Sequence, residues 1–163
     1  MSITESSALR ADMLTVFIRA ILHYFEHMVG IPAETDAPYL LEGDPETMHY
    51  TAVIGISGDL QGCIYFTAPK GMLNQLLNHI HEPDPTDELR CDMAGEVANT
   101  LSGNARKQLG PGFMISVPVV VLGKPERFVW PKNTACFVIP IRWQQTRALL
   151  MVCLTNAPVV SEL

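Results

Sequence analysis

Charge is scarce in this sequence. Asp, Glu, Lys and Arg make up 17% of its 163 residues, and basic charge is scarcer still: 11 Lys and Arg stand against 17 Asp and Glu, for a formal net charge of -6. That balance disfavours generic nucleic-acid binding, which rests on neutralising phosphates with Lys and Arg. Long apolar runs are also missing. The longest clean stretch, Ala148 to Leu154, is strand-sized and falls far short of the roughly 18 residues a membrane span requires. The N-terminus, Met-Ser-Ile-Thr-Glu-Ser-Ser, has no basic n-region and reads as no signal peptide. Cysteines number only four, Cys63, Cys91, Cys136 and Cys153, and no CxxC pair occurs. A zinc ribbon or redox motif is therefore not supported. Reduced, mostly buried thiols in a cytoplasmic protein are the expectation.

What is present is apolar. Hydrophobic residues make up 48% of the chain, enough to offset the ordering entropy of folding. The length suits one domain spanning 1–163 with a real core. Low charge combined with this much apolar content points to additional buried surface, in the core or in an oligomer interface.

Periodicity sorts the chain into elements. Leu9, Met13, Val16, Phe17, Ala20, Ile21, Tyr24 and Met28 recur at spacings of three and four, which predicts a helix. Ser6 or Ser7 can cap its start, and Gly30-Ile31-Pro32 stops it. Residues 31–48, rich in Pro, Asp, Glu and Gly, read as an irregular connection with a short strand near Tyr39 to Leu41. Strand-like runs follow at Tyr50 to Ser57 and Cys63 to Ala68, with a Gly58–Gly62 hairpin loop between them. A helix from Pro69 to about residue 81 comes next, then an acidic linker. The longest helix runs from Thr86 or Asp87 through Leu109 and ends at Gly110-Pro111-Gly112. Three β-runs close the chain: Ile115 to Leu122, Thr134 to Trp143 and Arg147 to Thr155. A turn at Gln144-Gln145-Thr146 joins the last two. This order predicts an α+β domain, with helices packed on a mainly antiparallel sheet.

The long helix carries the chemical signal. At about 100° per residue, Met93, Val97 and Leu101 fall on one side, while Asp92, Glu96, Asn99, Gly103 and Arg106 form a ridge on the other. A polar helix ridge is ordinarily just solvated surface. Two details argue for more. Gly103 sits inside the helix, where glycine costs about 1 kcal/mol relative to alanine, so a close approach by another surface would explain it. Gly95 is a second interior glycine. Asn99 is a poor helix former in mid-helix, so something other than propensity places it there.

The pattern Glu96-x-x-Asn99-x-x-x-Gly103-Asn104-x-x-Lys107 resembles the helix signature of the CheX family of chemotaxis phosphatases, in the CheC, CheX and FliY group. The hairpin Ile54-Gly55-Ile56-Ser57-Gly58-Asp59-Leu60-Gln61-Gly62 and the strand Ile115-Ser116-Val117-Pro118-Val119-Val120 resemble further parts of that family, in the same order over roughly residues 10–155. The resemblance implies a CheC/CheX-like fold. It also implies hydrolysis of the aspartyl phosphate on a CheY-like response-regulator receiver, in chemotaxis or another two-component pathway. In such a reaction the receiver supplies both acyl phosphate and Mg²⁺, so no cofactor of the chain's own is implied. Asn99 matches the family's water-orienting amide, and Glu96 the acidic group expected to contact a receiver lysine. An uncharged amide suits the water-orienting role, because it donates and accepts hydrogen bonds without repelling phosphoryl oxygens. Asp92, Gly103 and Arg106 become candidate partner contacts, Gly103 by leaving room for a receiver loop. A homodimer formed through sheet edges is implied as well. The alternative is a non-catalytic receiver-binding module on the same fold, like the FliM middle domain, which lacks the Glu and Asn pair.

Other residues read as structural. His23 and His27 have an i, i+4 spacing that a metal could use, but the pair alone is not a complete ligand set, and no metal site is expected. His79 and His81 suit polar positions at a helix end. The Gly58–Gly62 segment precedes no helix and is not a phosphate loop. Trp130 and Trp143 are expected to be packing residues. By helical angle, Asn104 is expected to be a buried structural hydrogen-bonder.

Overall fold

The structure, a computed structural model, describes residues 3–125 and 134–157. Trp130, and with it the expectation that it packs, lies outside them. Helix α1 spans Ile3–His23, so Ser6 and Ser7 fall within its first turns instead of capping it. From Tyr24 to Val29 the helix widens into a π-turn, and the Gly30 N–H reaches five residues back to the Phe25 carbonyl at 2.9 Å. Widening slips the 3.6-residue register. Phe17, Ile21, Tyr24 and Phe25 stay buried, whereas Met28, expected on the same face, is rotated out and 62% exposed.

Two short strands, β1 (Glu34–Thr35) and β2 (Tyr39–Leu40), precede the long hairpin of β3 (Tyr50–Gly58) and β4 (Leu60–Ala68). Then come α2 (Lys70–His79), α3 (Asp87–Leu109), β5 (Phe113–Ile115), β6 (Val119–Leu122), β7 (Cys136–Trp143) and β8 (Thr146–Asn156). All pairings are antiparallel, in the order β1-β7-β8-β4-β3-β5; β2 also pairs with β7, and β6 with β3. β1 and β2 thus form one interrupted edge strand, and β5 and β6 another. Gln144 and Gln145, at φ 48° and 63°, make the two-residue turn between β7 and β8. Positive φ at both central residues is what lets a hairpin follow the natural strand twist.

The helices cover one face of the sheet, where the main core runs through Phe17, Ile54, Phe66, Leu73, Val97 and Leu150. A second, smaller cluster occupies the other face: Tyr65, Val138, Leu149 and Met151, with Leu41 and Met48 from the 41–49 connection packed against it. Burial on both faces explains why Ala148 to Leu154 is uniformly apolar instead of alternating. Among the described residues no helix is long and apolar enough to cross a membrane.

The cysteine expectation is overturned. Cys136 and Cys153 are bonded as a disulfide, while Cys63 and Cys91 are free. The two partners lie 17 residues apart in sequence, and only the β7–β8 register brings them face to face.

One polar network sets the start of α3. Thr86 caps the helix, its hydroxyl accepting from the Leu89 N–H at 3.2 Å. One turn on, Arg90 is 6% exposed, and its guanidinium donates to the Tyr50 hydroxyl at 2.6 Å, Asn74 Oδ1 at 3.0 Å and Asp87 Oδ1 at 2.9 Å. The Tyr50 hydroxyl donates in turn to Asp87 at 2.5 Å. The Tyr50 hydroxyl bond and the Arg90 charge hold the Asp87 carboxyl below its ordinary pKa. This cluster ties β3, α2 and α3 together, and nothing in the periodicity pointed to it. Arg90→Ala should remove the donor to Asn74 Oδ1 and one of the two partners of the Tyr50 hydroxyl, and cost about 2–4 kcal/mol. A thermal melt followed by circular dichroism should show Tm falling by several degrees; an unchanged Tm would mean the network does not hold α3.

Candidate functional site

α3 lies across the helix-covered face with the split its sequence predicts. Met93, Val97 and Leu101 are buried, Asp92, Glu96, Asn99 and Arg106 are exposed, and Gly103 is half-exposed. Beside the ridge runs a groove of about 700 Å³. Asp92, Glu96 and Asn99 line one wall; Ser116, Val117 and Pro118 line the other. Gly103 and Arg106 lie further along the helix, outside the groove. The structure therefore brings three of the five ridge residues to one cavity.

The second wall is the break between β5 and β6. Ile115 pairs with Ile56 and Val119 with Val53, so three residues, 116–118, stand opposite two on β3. An extra residue bulges an edge strand outward. Ser116 pins the bulge from both sides: its N–H donates to the Gly55 carbonyl at 2.9 Å, and its hydroxyl accepts from the Gly55 N–H at 2.8 Å. Val117 is consequently left 83% exposed at the groove's rim. In the sequence this strand shows only as a run broken by Pro118; the bulge itself depends on pairing with β3.

The two glycines of α3 sit in different surroundings. A Cβ at Gly95 would meet Val120 at 3.3 Å and Pro118 at 3.5 Å, so Gly95 is where the edge strand closes on the helix. A Cβ at Gly103 would meet nothing within 4 Å. Nothing among the described residues requires glycine there. Asn104 departs from expectation: it is half-buried, and its amide nitrogen has no hydrogen-bond partner among the described residues.

Tyr24, treated in sequence as part of the core stripe, belongs to the site's surroundings. It is 6% exposed, and burial together with the nearby Glu96 charge pushes its pKa up to about 12. A neutral phenol therefore backs Glu96. His23 and His27 stack with ring centroids 4.5 Å apart. Among the described residues no group of three or more His, Cys, Asp or Glu side chains is placed to hold a metal. Trp143 packs in the core and its indole donates to the Ile31 carbonyl at 3.0 Å.

The contrast between the glycines is measurable. Gly103→Ala should raise stability by about 0.5–1 kcal/mol, because alanine is the better helix former and the new methyl enters open space. Gly95→Ala should gain less or lose stability, because its methyl presses on Val120. Equal melting shifts for the two variants would contradict this packing.

Comparison with known proteins follows the same geometry. The family model for the chemotaxis phosphatase CheX matches residues 50–142, which contain the hairpin, α3 and the bulged edge strand. No curated protein matches. The chain is similar in structure to the chemotaxis protein CheX of Vibrio vulnificus, at TM-score 0.78 and 20% identity over 88% of this chain and 99% of that one. It is also similar to CheX of Desulfovibrio desulfuricans, at TM-score 0.76 and 22% identity over 90% and 99% of the two chains. A third similar structure comes from a CheX–CheY complex with BeF3 and Mg²⁺ from Borrelia burgdorferi, at TM-score 0.71 and 17% identity over 88% and 98%. With more than half of its residues matched by the family model, the chain belongs to the CheX family.

Proposed function

We propose that this chain hydrolyses the aspartyl phosphate of a CheY-like receiver, with α3 as the element that enters the receiver's site. The observation that carries the reading is the exposure of Glu96 and Asn99 on one face of α3, at the wall of an open groove, in a chain of this family. Their i, i+3 spacing points both side chains the same way. A helix whose opposite face is fixed in the core can present them without reorganising.

The chemistry asked of the chain is small. Water attacks phosphorus, the bond between phosphorus and the receiver's aspartyl oxygen breaks, and the water's proton leaves with inorganic phosphate. The acyl phosphate and Mg²⁺ belong to the receiver. The Asn99 amide holds the water in line, accepting from it without adding negative charge. Glu96 pairs with a receiver cation and fixes the helix's register in the site. Asp92 extends the docking ridge toward the helix N-terminus, Arg106 extends it toward the C-terminus, and Gly103 leaves α3 bare where the receiver's backbone approaches. The same reading includes a homodimer: among the described residues the outer edge of β2 pairs with no further strand, and Tyr39 and Leu40 on it are exposed. Light scattering at micromolar concentration should give twice the chain mass, and a monomer would exclude this edge as an interface.

Asn99→Ala should leave the fold intact, because the position is exposed and alanine favours helix. Its rate of receiver dephosphorylation should fall about 10²–10³-fold, the usual loss for one positioned transition-state hydrogen bond. Glu96→Ala should weaken docking as well as turnover. A folded Asn99→Ala variant that works like wild type would refute the mechanism and leave the non-catalytic receiver-binding reading.

A further inference from the structure

On the sheet face opposite α3, three cysteines stand in one row. Cys63 on β4 is the register partner of Cys153 on β8, and Cys153 is the register partner of Cys136 on β7. Direct cross-strand partners point to the same face of an antiparallel sheet. Cys136 and Cys153 are joined, at 7% and 1% exposure, while Cys63 is half-buried, free, and packed on the same small apolar cluster.

We propose that these three residues form a thiol–disulfide exchange site, in which Cys63 carries electrons between a low-molecular-weight thiol and the buried Cys136–Cys153 pair. The proposal rests on reach and access. A Cβ at Gly62 would collide with the Cys153 carbonyl oxygen, so that carbonyl points toward β4. Cys63 and Cys153 are therefore a hydrogen-bonded cross-strand pair, with Cα atoms about 5.5 Å apart. That separation lies inside the roughly 4.4–6.8 Å range that a disulfide spans. Cys153 can thus bond to either neighbour without a change of register. Solvent reaches Cys63 more readily than the other two sulfurs.

The exchange balances. For reduction, the Cys63 thiolate attacks the Cys153 sulfur. The Cys136–Cys153 bond breaks, the Cys136 thiolate leaves and takes a proton from water, and a Cys63–Cys153 disulfide forms. A glutathione thiolate then attacks the more exposed Cys63 sulfur and releases the Cys153 thiolate. A second glutathione frees Cys63 and leaves as oxidised glutathione. Two electrons pass from two thiols to the protein disulfide, and oxidation by oxidised glutathione runs the same steps backwards.

The test uses the full chain, glutathione in reduced and oxidised form, rapid alkylation and mass-spectrometric mapping of the disulfides. Cys63→Ser and Cys63→Ala, checked for native circular dichroism, should slow reduction of Cys136–Cys153 by about tenfold or more, because the buried sulfurs must then be attacked directly. In Cys136→Ser, oxidised glutathione should produce a Cys63–Cys153 disulfide. Folded Cys63 variants reduced at the wild-type rate would overturn the proposal. So would a Cys136→Ser variant that holds only a glutathione mixed disulfide at Cys63, or a wild-type chain that forms no internal disulfide at all.

Discussion

The site depends on α3 being held by one face only. Met93, Val97 and Leu101 are committed to the core, and Gly95 lets the edge strand close to van der Waals contact on the flank. At the start of the helix, the Arg90 cluster fixes its position over β3 and α2. Burying each of these apolar side chains contributes about 1.5–3 kcal/mol. The buried guanidinium admits few alternative positions, because moving it would leave several polar groups unpaired. The exposed face therefore needs no stabilising contacts within this chain. That freedom is what allows a glycine at 103 and an asparagine at 99, residues that a helix selected for stability alone would not favour.

The second constraint comes from the sheet edge. β3 carries both halves of the interrupted strand, and the extra residue at 116–118 becomes a bulge instead of a register slip because Ser116 bonds the Gly55 backbone twice. A slip of one residue would turn Val120, half-buried against the core, away from it and bring an exposed neighbour in its place. The bulge leaves Val117 and Pro118 facing the ridge across the groove, so polar and apolar surface meet within one cavity. Protein docking surfaces combine an apolar centre with polar groups around it, and the groove offers both.

Much of this was legible in sequence. The face split of α3 follows from residue spacing, and the helix bounds follow from Thr86 and Gly110, whose local chemistry needs no tertiary partner. What was not legible required pairing between distant segments. The Cys136–Cys153 bond, the row completed by Cys63 and the bulge at 116–118 are all set by strand register. Arg90 reads on a helical wheel as one more charged residue, and only the fold delivers Tyr50 and Asn74 to it. Met28 failed for a local reason: the π-turn after His23 breaks the period on which its assignment relied. The role assigned to Gly103 needed a surface from outside the chain, and within the chain the close approach falls at Gly95 instead.

The central claim is catalysis, and turnover tests it more directly than binding. A trace of this protein should be added to a large excess of a CheY-type receiver phosphorylated with a small-molecule phosphodonor and then freed of it, and phosphate release followed in time. Catalysis predicts that each chain clears many receivers and that the rate rises in proportion to the protein added. A phosphoryl lifetime that stays unchanged, or lengthens only when the protein reaches the receiver's own concentration, would contradict the account and mark the chain as a binding module.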